Sequence, residues 1–212
     1  MGSAICRLAE TSGDWEVAGR VDLDLPLEKV ISAGEIIIDF TQPEATQNHL
    51  RLAQKNKKPM VIGTTGLNEA EQQSVREAAR HIPIVWSPNM SVGVNLLFKL
   101  TELAAQILDK NYTIKITETH HVHKKDSPSG TAKTLGAIVE KIRGQKPPID
   151  SIREGEVVGE HAVVFGSGRE HLALMHRALD RSVFAEGALK AAQWIVGKKP
   201  GLYTMADVLG FI

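Results

Sequence analysis

The first half of the chain alternates short apolar runs with helical patterns, and this rhythm is the strongest constraint on its fold. A βα alternation specifies a parallel sheet covered on both faces by helices. The runs Glu16 to Val21, Glu35 to Asp39, Pro59 to Ile62 and Pro83 to Trp86 read as four strands, the middle two rich in β-branched residues. Between them, Pro43 to Lys55 opens with a proline in its first turn and carries Leu50 and Ala53 on one side. Asn68 to Arg80 opens on an Asn cap and runs from acidic to basic, as a helix dipole favours. The chain starts differently, because Met1 to Ala9 reads as a helix with no strand before it.

From residue 91 the period changes. Val94, Leu97, Phe98, Ala104 and Ile107 fall on one helical stripe, and Tyr112, Ile114 and Ile116 then alternate with Thr113, Lys115 and Thr117. Leu135, Ile138, Val139 and Ile142 mark a further helix. Gly155 to Met175 reads as antiparallel strands joined at Gly166-Ser167-Gly168. Ser182 to Val196 is an amphipathic helix, followed by Gly201-Leu202-Tyr203 and a short turn over Met205 to Leu209. The expected architecture is α/β: a parallel-sheet domain over 1–90 and 182–212, and an α+β domain with a mixed open sheet over 91–181.

The 212 residues allow one large domain or two small ones. Lys and Arg number 25 and Asp and Glu also 25, so no global field draws in nucleic acid or an anionic membrane. Anion recognition must therefore be local. The single cysteine, Cys6, argues for a reducing compartment and hence the cytoplasm. The longest apolar stretch, near Leu96 to Leu108, is broken by Lys99 and Glu102, short of the ~18 uncharged residues of a membrane span. The first residues do not read as a signal peptide.

Three of the eight histidines stand together in Thr119-His120-His121-Val122-His123-Lys124-Lys125-Asp126-Ser127-Pro128-Ser129-Gly130-Thr131-Ala132. The block lies where a strand ends and a helix begins. Ser129, Gly130 and Thr131 offer the first unsatisfied N–H groups of that helix, whose dipole favours a negative group, and Lys124 adds a full charge. The block is thus a local anion site suited to a carboxylate, with a histidine fit for proton transfer. A solvated basic loop is the bland alternative. A metal set of His120, His121 and His123 is disfavoured, because adjacent histidines on extended backbone face opposite ways and no cysteine or carboxylate is spaced to complete it. No metal is expected.

Three strand ends carry small polar residues: Asp39-Phe40-Thr41, Gly63-Thr64-Thr65-Gly66 and Ser87-Pro88-Asn89-Met90. Ligands of open α/β sheets bind beyond the carboxyl ends of the strands, so these turns are candidate cofactor contacts. Asp22, closing the first run, is a candidate partner for ribose hydroxyls.

Together these pieces resemble the dihydrodipicolinate reductase family over nearly the whole chain. The most specific is Glu118 to Ala132, which is similar to the family signature E-x-H-H-x-x-K-x-D-x-P-S-G-T-A; Asn89-x-Ser91-x-Gly93-Val94-Asn95 and Arg153-Glu154-Gly155 support it. The resemblance implies that a cyclic dicarboxylate, 4-hydroxy-tetrahydrodipicolinate, is reduced by NADH or NADPH in lysine and diaminopimelate biosynthesis. It makes His120 the acid–base group and Lys124 the proton donor, with His121, Ser129, Gly130 and Thr131 on substrate carboxylate. It places Met1, Asp22, Gly63, Thr64, Thr65, Ser87, Pro88, Asn89 and Met90 on the cofactor, within a Rossmann-like domain. It also implies a homotetramer assembled through the second domain's sheet.

Family members begin with a strand and a G-x-x-G-R-M-G loop, whereas this sequence begins at what resembles the last Met-Gly of that loop. Leu23 stands where a basic residue often follows the acid, so NADH is favoured over NADPH. Two readings follow: an active reductase, or a homologue that folds and oligomerises without turnover.

Overall fold

The computed structural model describes residues 1–22 and 24–211. The chain divides into two compact units, one formed by 1–92 and 182–212, the other by 93–181. The first contains α1 (Gly2–Ser12), β1 (Ile37–Asp39), α2 (Pro43–Asn56), β2 (Met60–Ile62), α3 (Glu69–Ala78), β3 (Pro83–Trp86), α6 (Ser182–Ile195), β8 (Gly201–Tyr203) and α7 (Met205–Leu209). Its four strands form a parallel sheet in the order β1-β2-β3-β8. The central strand β2 is fully buried, as the run Met60-Val61-Ile62 requires of a strand with helices on both sides. On one side Leu50, Ala53, Val75 and Ala78 of α2 and α3 pack on Met60, Ile62 and Ile84. On the other, α1 and the small-residue face of α6 (Ala185, Ala188, Ala191, Ala192) cover Val61 and Val85.

Two expectations for this unit need correction. Glu16 to Val21 is not a strand; no described strand pairs with it, and extended backbone without a neighbour forms no ladder. Trp15 and Val17 still pack on the core under α6. The segment after α6, read as a tripeptide and a turn, is instead strand β8, paired with β3 through Ile84 and Leu202, followed by the short helix α7.

The second unit holds α4, whose span Val92–Ile107 begins at the boundary, then β4 (Thr113–His120), α5 (Gly130–Arg143), β5 (Ile149–Arg153), β6 (Gly159–Gly166) and β7 (His171–Ala178). Its sheet runs β5-β4-β6-β7, with β5 parallel to β4 and the other pairings antiparallel, a mixed open sheet as expected. Strand β5 is an addition to the expected elements, because Ile149 to Arg153 lacks a clean apolar alternation. The inner face of the sheet packs Ile116, Val163 and Phe165 against Leu135 of α5 and Leu97 and Ala105 of α4. Removing each such side chain from water contributes about 1.5–3 kcal/mol. Ile107, expected on the same stripe, is 78 % exposed at the end of α4.

Period-2 alternation carries the inner face past its apolar part. Along β4 it continues from Ile116 to Glu118 and His120; along β6 it runs back from Val163 to His161 and Gly159. Register aligns Ser151, Glu118, His161 and His176 in one row across β5, β4, β6 and β7. One end of the sheet is therefore hydrophobic inside and the other polar.

Candidate active site

Glu118 is fully buried and organises the polar end. Its Oε1 accepts from Arg153 Nη2 at 2.9 Å and from the Ser129 N–H at 3.3 Å, while Oε2 bonds His120 Nδ1. Burial opposes its ionisation, but the hydrogen bonds from Arg153 and His120 outweigh that cost and hold its carboxyl below the ordinary range. Arg153 also donates to the Asp126 carbonyl at 2.7 Å, tying the loop after β4 to β5.

His120 is pushed below the usual imidazole pKa, chiefly by burial, with the Glu118 carboxylate working against the shift. Its ring meets His161 edge-on at 5.1 Å between centroids. His161 is pushed down to about 3, again chiefly by burial and then by the neighbouring His120. It is a neutral imidazole at any physiological pH, and its Nε2 bonds Ser129 Oγ at 3.1 Å. Ser129 is the N-cap of α5, its Oγ accepting from the Ala132 N–H at 3.2 Å. One chain of contacts thus joins the acid–base candidate to the head of α5, where the Gly130 N–H and the positive end of the helix dipole face out.

The expected substrate-side residues gather at this end. Lys124 Nζ lies 2.7 Å from Asp126 Oδ1 in the loop between His120 and Ser129. His121 Nδ1 is buried with no hydrogen-bond partner among the described residues, which leaves a polar atom for a ligand. Glu118 and Arg153 lie in the motifs quoted above but have no role assigned there, and His161 lies in none of them. His161 stands among the scattered histidines, yet its place on the β6 inner face two residues before Val163 is the available signal. Among the described residues the grouping with ligand-capable atoms within 4.8 Å of one another is Glu118, His120 and His161, not the three clustered histidines, and it does contain a carboxylate. That carboxylate's oxygens already serve Arg153, His120 and Ser129, so hydrogen bonding accounts for the grouping.

In the first unit the expected cofactor residues sit beyond the carboxyl ends of β2 and β3. Buried Thr64 bonds Thr46 Oγ1 at 2.9 Å and Asp39 Oδ1 at 3.4 Å, so its hydroxyl serves the turn. Asp39, fully buried, also accepts from the Thr41 N–H and hydroxyl at 2.8 and 2.6 Å and meets His49 Nδ1 at 3.0 Å. Burial opposes its ionisation, but the bonds from His49 and Thr41 prevail and its pKa lies below the ordinary value. Gly63 has no side chain because the Phe40 ring occupies that space, 2.2 Å from where a Cβ would stand. Ser87 Oγ donates to the Asn89 carbonyl at 2.7 Å, and Met90 is buried against α6. These three side chains, of Thr64, Ser87 and Met90, therefore shape the edge from within, while Thr65 and Pro88 are exposed on it. Helix α1 has no side-chain cap on its first turn, and Met1 packs on the cluster that also takes Phe40 and Met90. Asp22 is exposed, with Oδ1 accepting from the Asp24 and Leu25 N–H groups at 3.0 Å. Leu23 lies outside the described residues.

A Rossmann-like parallel unit joined to a mixed-sheet unit with a buried acid–base cluster defines a class: the nicotinamide-dependent oxidoreductases of two-unit build. Within it, family models narrow the assignment. "Dihydrodipicolinate reductase, N-terminus" matches residues 1–90 and "Dihydrodipicolinate reductase, C-terminus" matches 93–209. The chain belongs to the dihydrodipicolinate reductase family. A 4-hydroxy-tetrahydrodipicolinate reductase from Pelagibacter ubique is 43 % identical over 92 % of this chain and 83 % of its own length. One from Alkaliphilus oremlandii is 39 % identical over 100 % and 95 %. A solved dihydrodipicolinate reductase from Paenisporosarcina, with dipicolinate bound, shares the fold at a TM-score of 0.81 and 21 % identity, covering 97 % of this chain and 94 % of that one. An aspartate dehydrogenase from Thermotoga maritima is more distant, with a TM-score of 0.53 at 13 % identity and coverage of 92 % and 94 %. No helix among the described residues is long and apolar enough to cross a membrane.

Proposed function

We propose that the chain reduces 4-hydroxy-tetrahydrodipicolinate to tetrahydrodipicolinate in the cytoplasm, with NADH preferred over NADPH. The observation that carries this is the pairing, at one end of one sheet, of a buried Glu118–His120 acid–base couple with the capped head of α5. The nicotinamide supplies the hydride. Gly130, Thr131 and the α5 dipole hold one substrate carboxylate, and Lys124 and His121 add positive charge and a donor beside it. With water lost from the substrate's own hydroxyl and a ring hydrogen, the His120 and Lys124 pair gives the reduced ring the one proton that completes the reaction. To reach substrate, Lys124 exchanges its Asp126 partner for the ligand.

Met1, the α1 N-terminus and the Gly63 to Thr65 and Ser87 to Met90 turns hold the cofactor. Asp22 accepts from ribose hydroxyls, and its charge, with Leu23 rather than a base beside it, disfavours a 2′-phosphate. The sheet face turned away from α4 and α5 shows Ala162, Val164, Ala173 and a 66 % exposed Met175, which supports assembly of a homotetramer through this sheet.

A coupled assay with freshly generated substrate, following NADH oxidation, tests the reading. His120→Gln and Lys124→Ala are expected to lose turnover by roughly a hundredfold or more while keeping the fold. Full activity in both overturns the assignment, and faster rates with NADPH overturn the cofactor preference.

A further inference from the structure

Glu118 exchanges no proton with substrate in the chemistry assigned above, yet it is the most deeply buried charged residue of the second unit. An ionised carboxylate inside a protein is costly unless each oxygen is matched, and here the matching is directional. Arg153, at the end of the parallel neighbour β5, and the Ser129 N–H both bind Oε1. That leaves Oε2 for His120 Nδ1. A carboxylate only accepts, so the nitrogen facing it must carry the proton. The other nitrogen, Nε2, lies beside Gly159, where an added Cβ would come within 3.1 Å. The absence of a side chain there keeps Nε2 uncrowded.

We infer that Glu118, oriented by Arg153, is the positioning residue that fixes His120 as the Nδ1–H tautomer and dedicates Nε2 to proton exchange with substrate. The inference rests on His120 being the acid–base group. The charged and titratable groups facing His120 are Glu118 on its own strand, Arg153 on β5, His161 on β6, and Lys124 and Asp126 in the following loop. Glu118 alone pulls its pKa upward by direct hydrogen bonding, while Arg153 and Lys124 push it down. His161, being neutral, contributes little field but walls the ring from water. A carboxylate behind an imidazole stabilises the imidazolium as it forms and maintains the tautomer when it is neutral.

In Glu118→Gln the new amide would turn an N–H toward Nδ1 while its carbonyl stays on Arg153, so the substitution must invert the tautomer as well as remove the charge. Two measurements test this. The first is imidazole nitrogen NMR on the intact, ¹⁵N-histidine-labelled protein without ligands, assigned with His120→Gln. Wild type is expected to show protonated Nδ1 and unprotonated Nε2, and Glu118→Gln the reverse. The second is the pH profile of kcat/KM. Glu118→Gln is expected to lower kcat on the order of a hundredfold with little change in cofactor KM, and to move the limb that reports His120 toward lower pH. Arg153→Met is expected to move the same limb toward higher pH. A merely structural role predicts no such opposite displacements. An Nε2–H tautomer in wild type, or limbs that stay put or move together, overturns the inference. If the wild type turns over no substrate, the functional reading fails on its own, and the NMR result still decides whether Glu118 sets the tautomer.

Discussion

His161 makes acid stability a direct measure of how the buried row is built. Its pKa is pushed from an ordinary 6.5 to about 3 by burial and by His120. The unfolded chain therefore takes up a proton between these values that the folded chain refuses. The sign follows: as pH falls below 6.5 the unfolded state gains, stability drops, and the loss ceases once pH passes below about 3 and both states bind the proton. At about pH 5 this single group costs about 2 kcal/mol relative to about pH 7.5, and its near-complete burial leaves little screening to discount. His161→Gln keeps a polar group near Ser129 Oγ without a titrating ring. The variant is expected to be less stable than wild type at neutral pH. Its deficit should shrink by about 2 kcal/mol at about pH 5, or roughly 4–8 °C in thermal midpoint. Urea unfolding of both proteins across that range, followed by far-UV circular dichroism, reads the difference. Parallel loss of stability in the two proteins would refute the assignment of a neutral, buried His161.

Three further outcomes follow from the packing. Asp39→Ala removes the acceptor shared by Thr41, Thr64 and His49 and is expected to lower the urea-unfolding free energy by about 3 kcal/mol. Gly187→Ala would drive a Cβ to 1.7 Å from the Met90 carbonyl oxygen; a loss of about 3 kcal/mol, or insoluble expression, is expected, and an unchanged thermal midpoint would contradict the close approach of α6. Ser129→Ala removes the α5 cap and the partner of His161, costing about 1 kcal/mol for the cap alone in thermal unfolding.

Much of the fold is legible in the sequence because its apolar periods are regular. The cap expected at Asn68 is present, with Asn68 and Glu71 exchanging backbone and side-chain bonds. Ser129, read as offering one of the free N–H groups at the start of α5, is its N-cap. What escapes does so for physical reasons. Strand β5 faces inward with Ile149, Ser151 and Arg153, and two of these are polar, Arg153 binding the Glu118 carboxylate, so the apolar alternation that marks a strand is missing. His161 is hidden the same way, and Glu118 opens the signature without a role, although Ile114, Ile116, Glu118, His120 is an unbroken period-2 series whose dry face leads into the site. Strand β8 is as short as β1 and β2 but, as Gly201-Leu202-Tyr203, lacks the β-branched run that marks those two. Glu16 to Val21 has the composition of a strand, but composition cannot supply a neighbour to pair with.

The two units have different loop-closure requirements. The second is one continuous stretch, 93–181, and every strand pairing in its sheet is complete before Ser182 is added. The first must bring β8 to β3 across the whole of that stretch and lay α6 on α1, near opposite ends of the chain. During synthesis, which delivers residues in order, the second unit can complete its strand pairings while β1, β2 and β3 wait with one face only partly covered and one edge unpaired. The segment from Ser182 onward then acts as the fastener of the cofactor unit. Loss of even a short piece carrying α7 would strip Met205 and Val208 from its core while leaving the sheet of the second unit intact.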